Sequence, residues 1–196
     1  MYKLITAPSV EPVSVTELKS QLRITGTSQD TMLGLLIKAA RQHAEDYLRY
    51  SIIATVWELY LDAFPASGEP IWVQKSPVSL GTPSTTTLKY YNTSGVLTTL
   101  TENTGYVVDY NSAPARVYEA YDKTWPSTRV IPNAVVLKFT AGYANAAAVP
   151  DQIKQAILMI ASTLYENPSD EVTGTQVNAI NKNSEWLLRP LRAMRY

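Results

Sequence analysis

Val149-Pro-Asp-Gln-Ile-Lys-Gln-Ala-Ile-Leu-Met-Ile-Ala-Ser-Thr-Leu164 is the stretch whose reading decides the fold. Pro150 suits the first helical position, where a missing N–H leaves nothing unpaired, and Asp151 sits near the positive end of the macrodipole. Ile153, Ala156, Ile157, Ile160, Ala161 and Leu164 fall at i, i+3, i+4, i+7, i+8 and i+11, one face of a helix. Asn167-Pro168 ends it. Leu158, Met159 and Tyr165 are apolar off that stripe, so a second covering surface is expected, either the sheet or a neighbouring subunit. The stripe itself needs helical partners.

Those partners lie at the other end of the chain. Ser14-Val-Thr-Glu17 has the form of a capping box, and Val13 and Leu18 have the spacing of a hydrophobic staple. Val15, Leu18 and Leu22 line a first helix that Gly26 is placed to stop. Thr27 or Ser28 is placed to cap a second, whose stripe is Leu33, Leu36, Ile37, Ala40, Ala44, Tyr47 and Leu48.

Between the helices the period changes to two. Trp57, Leu59 and Leu61 alternate with Glu58, Tyr60 and Asp62, as in a half-buried strand. Ile71–Gln74 is a short strand, and Leu88–Tyr91 with Val96–Leu100 around Asn92-Thr-Ser-Gly95 reads as a hairpin. Tyr106–Tyr110, Arg116–Ala120 and Ala134–Thr140 are further strands set apart by Pro, Asn and Ser. The fold class is therefore α+β. Two N-terminal helices, one helix after residue 150 and a C-terminal helical tail make a helical core, residues 1–51 and 147–196. An antiparallel β-domain, residues 52–146, is inserted into it.

Composition removes most chemistry. The chain of 196 residues has no Cys and one His, which excludes disulfide frameworks, zinc ribbons, thiol nucleophiles and paired-imidazole metal sites. Lys+Arg and Asp+Glu both number 17, so no net positive charge favours coating nucleic acid or an anionic membrane. The longest fully apolar run, Ala156–Ala161, is far short of the roughly 20 residues of a membrane span. Without an apolar segment at Met1–Pro8, a chain made and used in a cytoplasm is expected. His43 lacks a nucleophile elbow to serve, so a packed or surface role is favoured. Glu58 and Asp62 are about 13 Å apart by strand rise, beyond the roughly 5–9.5 Å of a glycosidase pair. They, Glu45/Asp46 and Asp170/Glu171 read as solvated or salt-bridged carboxylates. No glycine loop cradles a phosphate. No catalytic, cofactor or metal residue is assigned, and the chain reads as a non-enzyme.

The last segment interleaves Trp186, Leu187, Leu188, Leu191 and Tyr196 with Lys182, Arg189, Arg192 and Arg195. Trp, Tyr and Arg are the residues enriched at interface hot spots. Docking on a partner and packing on the chain's own core fit equally well, and phosphate contact fits less well. The 13 Tyr beside 2 Phe suggest surfaces that are wet in a free subunit and covered in an assembly.

Several of these segments, taken in order, resemble the head–tail connector (adaptor) proteins of tailed bacteriophages, the longer kind with a β-region among the helices. They are Pro12–Arg23, Asp30–Arg41 with Ala44-Glu-Asp-Tyr47, Thr55–Pro65, Leu88–Tyr91, Tyr121-Asp-Lys-Thr-Trp-Pro126, Val135–Tyr143, Val149–Ile157 and Leu187-Leu-Arg-Pro-Leu-Arg192. The resemblance implies a structural virion protein of the neck, assembled in the host cytoplasm, with no cofactor. It implies a ring, commonly of twelve subunits, beneath the portal protein, with a tail-side connector or stopper protein below. DNA would pass through its channel without sequence-specific binding. The portal-docking residues it implies are Trp186, Leu187, Leu188, Arg189, Leu191, Arg192 and Tyr196. Leu158, Met159 and Tyr165 are the candidate subunit-interface residues. The alternative is a β-rich carbohydrate- or protein-binding module with helical flanks, which requires an aromatic-lined groove within residues 52–146. A metal-free carboxylate hydrolase ranks last.

Overall fold

A computed structural model describes residues 1–75, 86–112, 114–168 and 183–192. In chain order these form β1 (Tyr2–Thr6), α1 (Val15–Leu22), α2 (Asp30–Leu48), β2 (Thr55–Leu61), β3 (Ile71–Val73), β4 (Thr87–Tyr91), β5 (Leu97–Leu100), β6 (Tyr106–Asp109), β7 (Ala115–Glu119), β8 (Val135–Ala141), α3 (Asp151–Glu166) and α4 (Asn183–Leu188). Single 3₁₀ turns occupy Ala146–Ala148 and Arg189–Leu191. The fold is α+β, and the chain divides into two compact units. Residues 1–9 and 54–144 form a β unit; residues 10–53 and 145–196 form a helical unit.

The β unit consists of two antiparallel sheets, a five-stranded one ordered β1-β2-β8-β4-β5 and a three-stranded one ordered β3-β7-β6. On β8, Val135, Leu137, Phe139 and Ala141 are buried while Lys138 between them is exposed, as the pleat requires. These side chains, with Leu59 and Leu88, meet Ile71, Val73, Tyr106, Ala115 and Val117 of the second sheet in one core. Sheet packs on sheet, and each covers the other's apolar face. The Asn92–Gly95 turn closes the β4–β5 hairpin. Asn92 accepts from the Gly95 amide, and Gly95 takes the left-handed backbone (φ +81°) that a side chain would strain.

The expectation that residue 1 begins the helical core is corrected at its start. Tyr2–Thr6 is a strand paired antiparallel to β2, and the Met1 ammonium donates to the Tyr60 carbonyl at 2.9 Å. The strand is mostly exposed, so it carries no clear hydrophobic alternation. Its partner lies more than fifty residues away, and local pattern cannot register that.

In the helical unit α1 carries the full capping box. The Ser14 hydroxyl accepts from the Glu17 amide at 3.2 Å, and the Ser14 amide donates to Glu17 Oε2 at 2.6 Å. Val13 and Leu18 are buried as its staple. The helix stops earlier than Gly26, because Arg23 takes the left-handed conformation itself (φ 56°) and Ile24 donates back to the Lys19 carbonyl. α2 starts at Asp30 without a side-chain cap; Thr27 instead accepts from the Asp30 amide through its carbonyl. Leu33, Ile37, Ala40, Ala44 and Leu48 of α2 are buried, as are Ile153, Ala156, Ile157 and Ala161 of α3. Pro150 stands one residue ahead of α3, as its cap.

Arg41 is buried on α2. Its Nε donates to Glu11 Oε2 at 2.8 Å and its Nη1 to Glu45 Oε2 at 2.6 Å, while Glu45 Oε1 accepts from the Ile52 amide at 2.8 Å. One guanidinium therefore ties the segment before α1, α2 itself and the segment after it. Arg41→Ala, which strands two carboxylates, is expected to cost about 3 kcal/mol in denaturant unfolding.

Tyr106 is the largest fully buried side chain, and its hydroxyl donates to the Thr86 carbonyl at 3.0 Å. Burial pushes its ionisation from 10.0 up to about 12. A raised folded value means the stabilisation is complete below the ordinary tyrosine value and disappears as pH rises through about 12. The β unit should thus lose stability between about pH 10 and 12. Tyr106→Phe should flatten that loss, at about 1 kcal/mol for the lost hydrogen bond at neutral pH.

Candidate functional site

The C-terminal segment builds outward from one anchor. Leu188 of α4 is 1% exposed, within the helical unit where α4 packs on α3 and α2. One turn on, the Arg192 guanidinium lies 5.0 Å from the Tyr47 ring centroid of α2. Leu187 and Leu191 are half-buried, whereas Trp186 and Arg189 are exposed, three residues apart on one side of the short helix. Trp186 is 73% exposed. Tyr196, Lys182 and Arg195 lie outside the described residues. Of the docking candidates, then, Leu188 and Arg192 hold the segment to its own unit, and Trp186 and Arg189 project from it.

The interface candidates on α3 are placed less sharply. Leu158, Met159 and Tyr165 are all half-buried, and the Tyr165 hydroxyl donates to Gln29 Oε1 at 2.8 Å. More conspicuous apolar exposure in the helical unit lies elsewhere, at Val10 (48%), Met32 (44%) and Leu35 (65%). Val10 lines a cleft of about 570 Å³ between the segment leading into α1 and the middle of α2. Val10, Pro12, Val15 and Gly34 line it, together with the carboxylates Glu11 and Glu17 and the ammonium groups of Lys38 and Lys154. The sequence reading missed this cleft, because its lining comes from four separate segments.

The β unit has a groove of about 380 Å³ lined by Tyr2, Phe64, Pro65, Pro70 and Trp72 among others. The Tyr2 hydroxyl accepts from the Gln74 amide at 2.9 Å and donates to the Trp72 carbonyl at 3.3 Å; burial raises its pKa. On the outer side of the three-stranded sheet, Arg116 lies beside the Trp72 and Tyr118 rings, at 5.9 and 5.7 Å. Its Nη2 donates to Asp109 Oδ2 at 2.6 Å. Hydrogen bonds from Arg116, Ser112 and the Asn111 amide hold Asp109 down at about 2. Many tyrosine hydroxyls are thus engaged inside the chain: Tyr106 on Thr86, Tyr110 on Glu102, Tyr60 on Glu58 and Tyr165 on Gln29. These bonds account for much of the Tyr excess over Phe without an assembly surface.

His43 is exposed on α2. Glu58 accepts from Tyr60 and Asp62 from the Asn133 amide, and Glu45 belongs to the Arg41 network. Asp170 and Glu171 lie outside the described residues. Among the described residues no group of three or more His, Cys, Asp or Glu could hold a metal ion, and no helix is long and apolar enough to cross a membrane. What the geometry offers is surface: an exposed Trp–Arg pair, an apolar cleft and an aromatic groove.

The comparisons with known proteins agree with a part that binds through surfaces. A family model described as phage gp6-like head–tail connector protein matches residues 12–113, just over half of the chain. The chain belongs to that family. Among solved structures it is similar to a chain in the neck of an empty gene transfer agent particle computed with C6 symmetry, with TM-score 0.79 and 24% identity. It is also similar to a chain in the virion of a native gene transfer agent particle, at 0.76 and 24%, and to one in the neck of a native particle computed with C12 symmetry, at 0.76 and 22%. Each match covers 100% of this chain and 97% of the other, so the fold is shared throughout. No curated protein matches significantly.

The Asp109–Arg116 pair yields a pH test. Asp109 has a depressed folded value, so its stabilisation is present above the ordinary carboxylate range and is lost as pH falls through about 2. Urea unfolding of the wild type should weaken between about pH 4 and pH 2, and Asp109→Asn should remove part of that slope.

Proposed function

We propose that this chain is a non-enzymatic subunit of a virion neck, forming the adaptor ring beneath the portal through which DNA passes. The observation that carries this is the connector-family match at residues 12–113, on a chain whose whole length follows the fold of neck subunits. Those relatives sit in necks of sixfold and twelvefold symmetry, which favours twelve copies here. Zero net charge suits a channel, since a basic wall would hold the duplex through its phosphates. A cyclic ring joins unlike faces, so each copy needs two different contact surfaces.

The C-terminal segment is read as the contact to the portal. With Leu188 inside the unit and Arg192 against Tyr47, the residues left for that partner are Trp186, Leu187, Arg189 and Leu191, with Tyr196 outside the described residues. A tail-side connector or stopper protein would bind the opposite end. The groove at Tyr2, Phe64 and Trp72 favours a second reading, a binding module. A sugar site, however, sets free polar groups beside its aromatic planes, and the Tyr2 hydroxyl is already engaged. Negative-stain imaging of the purified protein, alone and mixed with the portal protein of its own particle, should show rings with a central channel. Monomers at high concentration that leave the portal bare would contradict the proposal.

A further inference from the structure

The five-stranded sheet ends on two edges, β1 and β5, and neither has a further strand beside it among the described residues. An open edge presents a row of N–H and C=O groups that another strand can pair with. β5 lacks the devices that keep such an edge single. Val96-Leu-Thr-Thr-Leu-Thr101 contains no charge, proline or glycine, and its pairing with β4 has no bulge. Val96 is 59% exposed and Leu97 47%. β1 carries Lys3 and a bulge between Leu4 and Thr6, yet Leu4 and Ile5 are exposed there too.

Register shows which backbone groups are open. Met1 and Tyr60 exchange both of their backbone bonds, so Met1 and Lys3 face β2, and the N–H and C=O of Tyr2 and Leu4 face outward. The Asn92 amide donates to the Val96 carbonyl, so Val96, Thr98 and Leu100 face β4, and the groups of Leu97 and Thr99 face outward. The side chains of the two sets lie on opposite sides of the sheet. Tyr2 packs on the core, edge-on to Phe139, which puts Tyr2 and Leu4 on the core side. Leu100 also packs on the core, which puts Leu97 and Thr99 on the outer side.

Strand direction selects the occupant. Every pair in this sheet is antiparallel, and five alternating strands leave β1 and β5 running the same way. A ring axis turns each copy without reversing its strands or turning its sheet over. Two such sheets meeting edge to edge therefore join in parallel, core side continuous with core side. In a parallel ladder each residue bonds to the two residues flanking the one opposite, so bonded residues carry side chains on opposite sides. Tyr2 and Leu4 against Leu97 and Thr99 meet that condition. An antiparallel join of the same groups would set the core side of one sheet beside the outer side of the next, which a ring axis does not do. We infer that β5 of one copy pairs in parallel with β1 of the next copy, through the backbone of Leu97 and Thr99 and that of Tyr2 and Leu4. This rests on the ring reading and adds to the helical-unit contacts a join through the sheets.

Proline makes the test selective. The Thr99 N–H faces away from β4, so Thr99→Pro removes no bond within the chain and should leave the melting temperature near that of the wild type. It removes a donor from the open edge and sets a ring in its place. Leu97→Lys puts a charge on the same edge at an exposed position, and is scored beside it should the proline variant not fold. Each should raise the concentration at which half the protein is in rings by about tenfold, the loss expected of one to two hydrogen bonds. The chain has no Cys. Aligned core sides place Lys3 beside Leu97 or Thr99, according to register. Oxidation should therefore give a disulfide-linked dimer when Lys3→Cys chains are mixed with Leu97→Cys or with Thr99→Cys chains. If wild-type protein forms rings only on the portal, all variants are scored there.

Rings that form at the wild-type concentration with Leu97→Lys, or that give neither cross-link, overturn the inference and leave the ring reading standing. Thr99→Cys chains that cross-link to each other also overturn it, because like edges then meet. So does a Leu97→Lys protein that forms rings but no longer binds the portal, which gives the edge to the portal. Wild-type protein that never forms rings, alone or on the portal, defeats the ring reading and this inference together.

Discussion

The ladder between β2 and β8 is the interaction on which the rest of the structure depends. Seven residue pairs run from Thr55↔Ala141 to Leu61↔Val135, and beyond them the Ala54 amide donates to the Tyr143 carbonyl at 2.9 Å. These two strands are where the chain leaves the helical segments and where it returns. Pairing them brings residues 54 and 144 side by side and fixes the ends of an insertion about ninety residues long, so its length costs the fold little. The same ladder places Leu59, Leu137 and Phe139 in the core. β1 adds to one side of it and the β4–β5 hairpin to the other.

The helical unit solves a different problem. Its helices come from two ends of the sequence and bury their stripes against each other, with Arg41 joining three segments at one buried charge. Such a network leaves the unit firm enough to present groups outward at defined positions. Trp186 is solvated while Leu188, two residues on, is buried. A body of this kind, with different surfaces at different places, can be repeated around an axis.

What could be read from the residues depended on how far apart the interacting groups lie. The Ser14–Glu17 box and the α3 stripe involve neighbours within one or two turns; the structure has the box, and it buries the stripe at Ile153, Ala156, Ile157 and Ala161 while Ile160 is half-buried and Leu164 exposed. β8 alternates because one of its faces is buried, and that alternation is visible in Val135–Ala141, as the apolar–polar alternation of β2 is in Trp57–Leu61. β1 was illegible because both its faces are largely exposed and its partner is remote. Arg41 stands outside the apolar stripe of α2; it is buried against Glu11, thirty residues earlier, which no local pattern registers. The tail showed its composition but not its division into an anchor and a knob, since Trp186, Leu187 and Leu188 are equally apolar in sequence. The cleft left no sequence signal, because no single segment forms it.

The central claim is that this chain is a repeating subunit of a particle neck. The most direct measurement is a reconstruction of the neck of the intact particle, with this chain fitted to the layer next to the portal. The account predicts a closed ring of twelve copies in that layer, each meeting its neighbours through helical-unit surfaces around an open channel. A neck layer that this chain does not fit, or one copy where a ring should be, would contradict it.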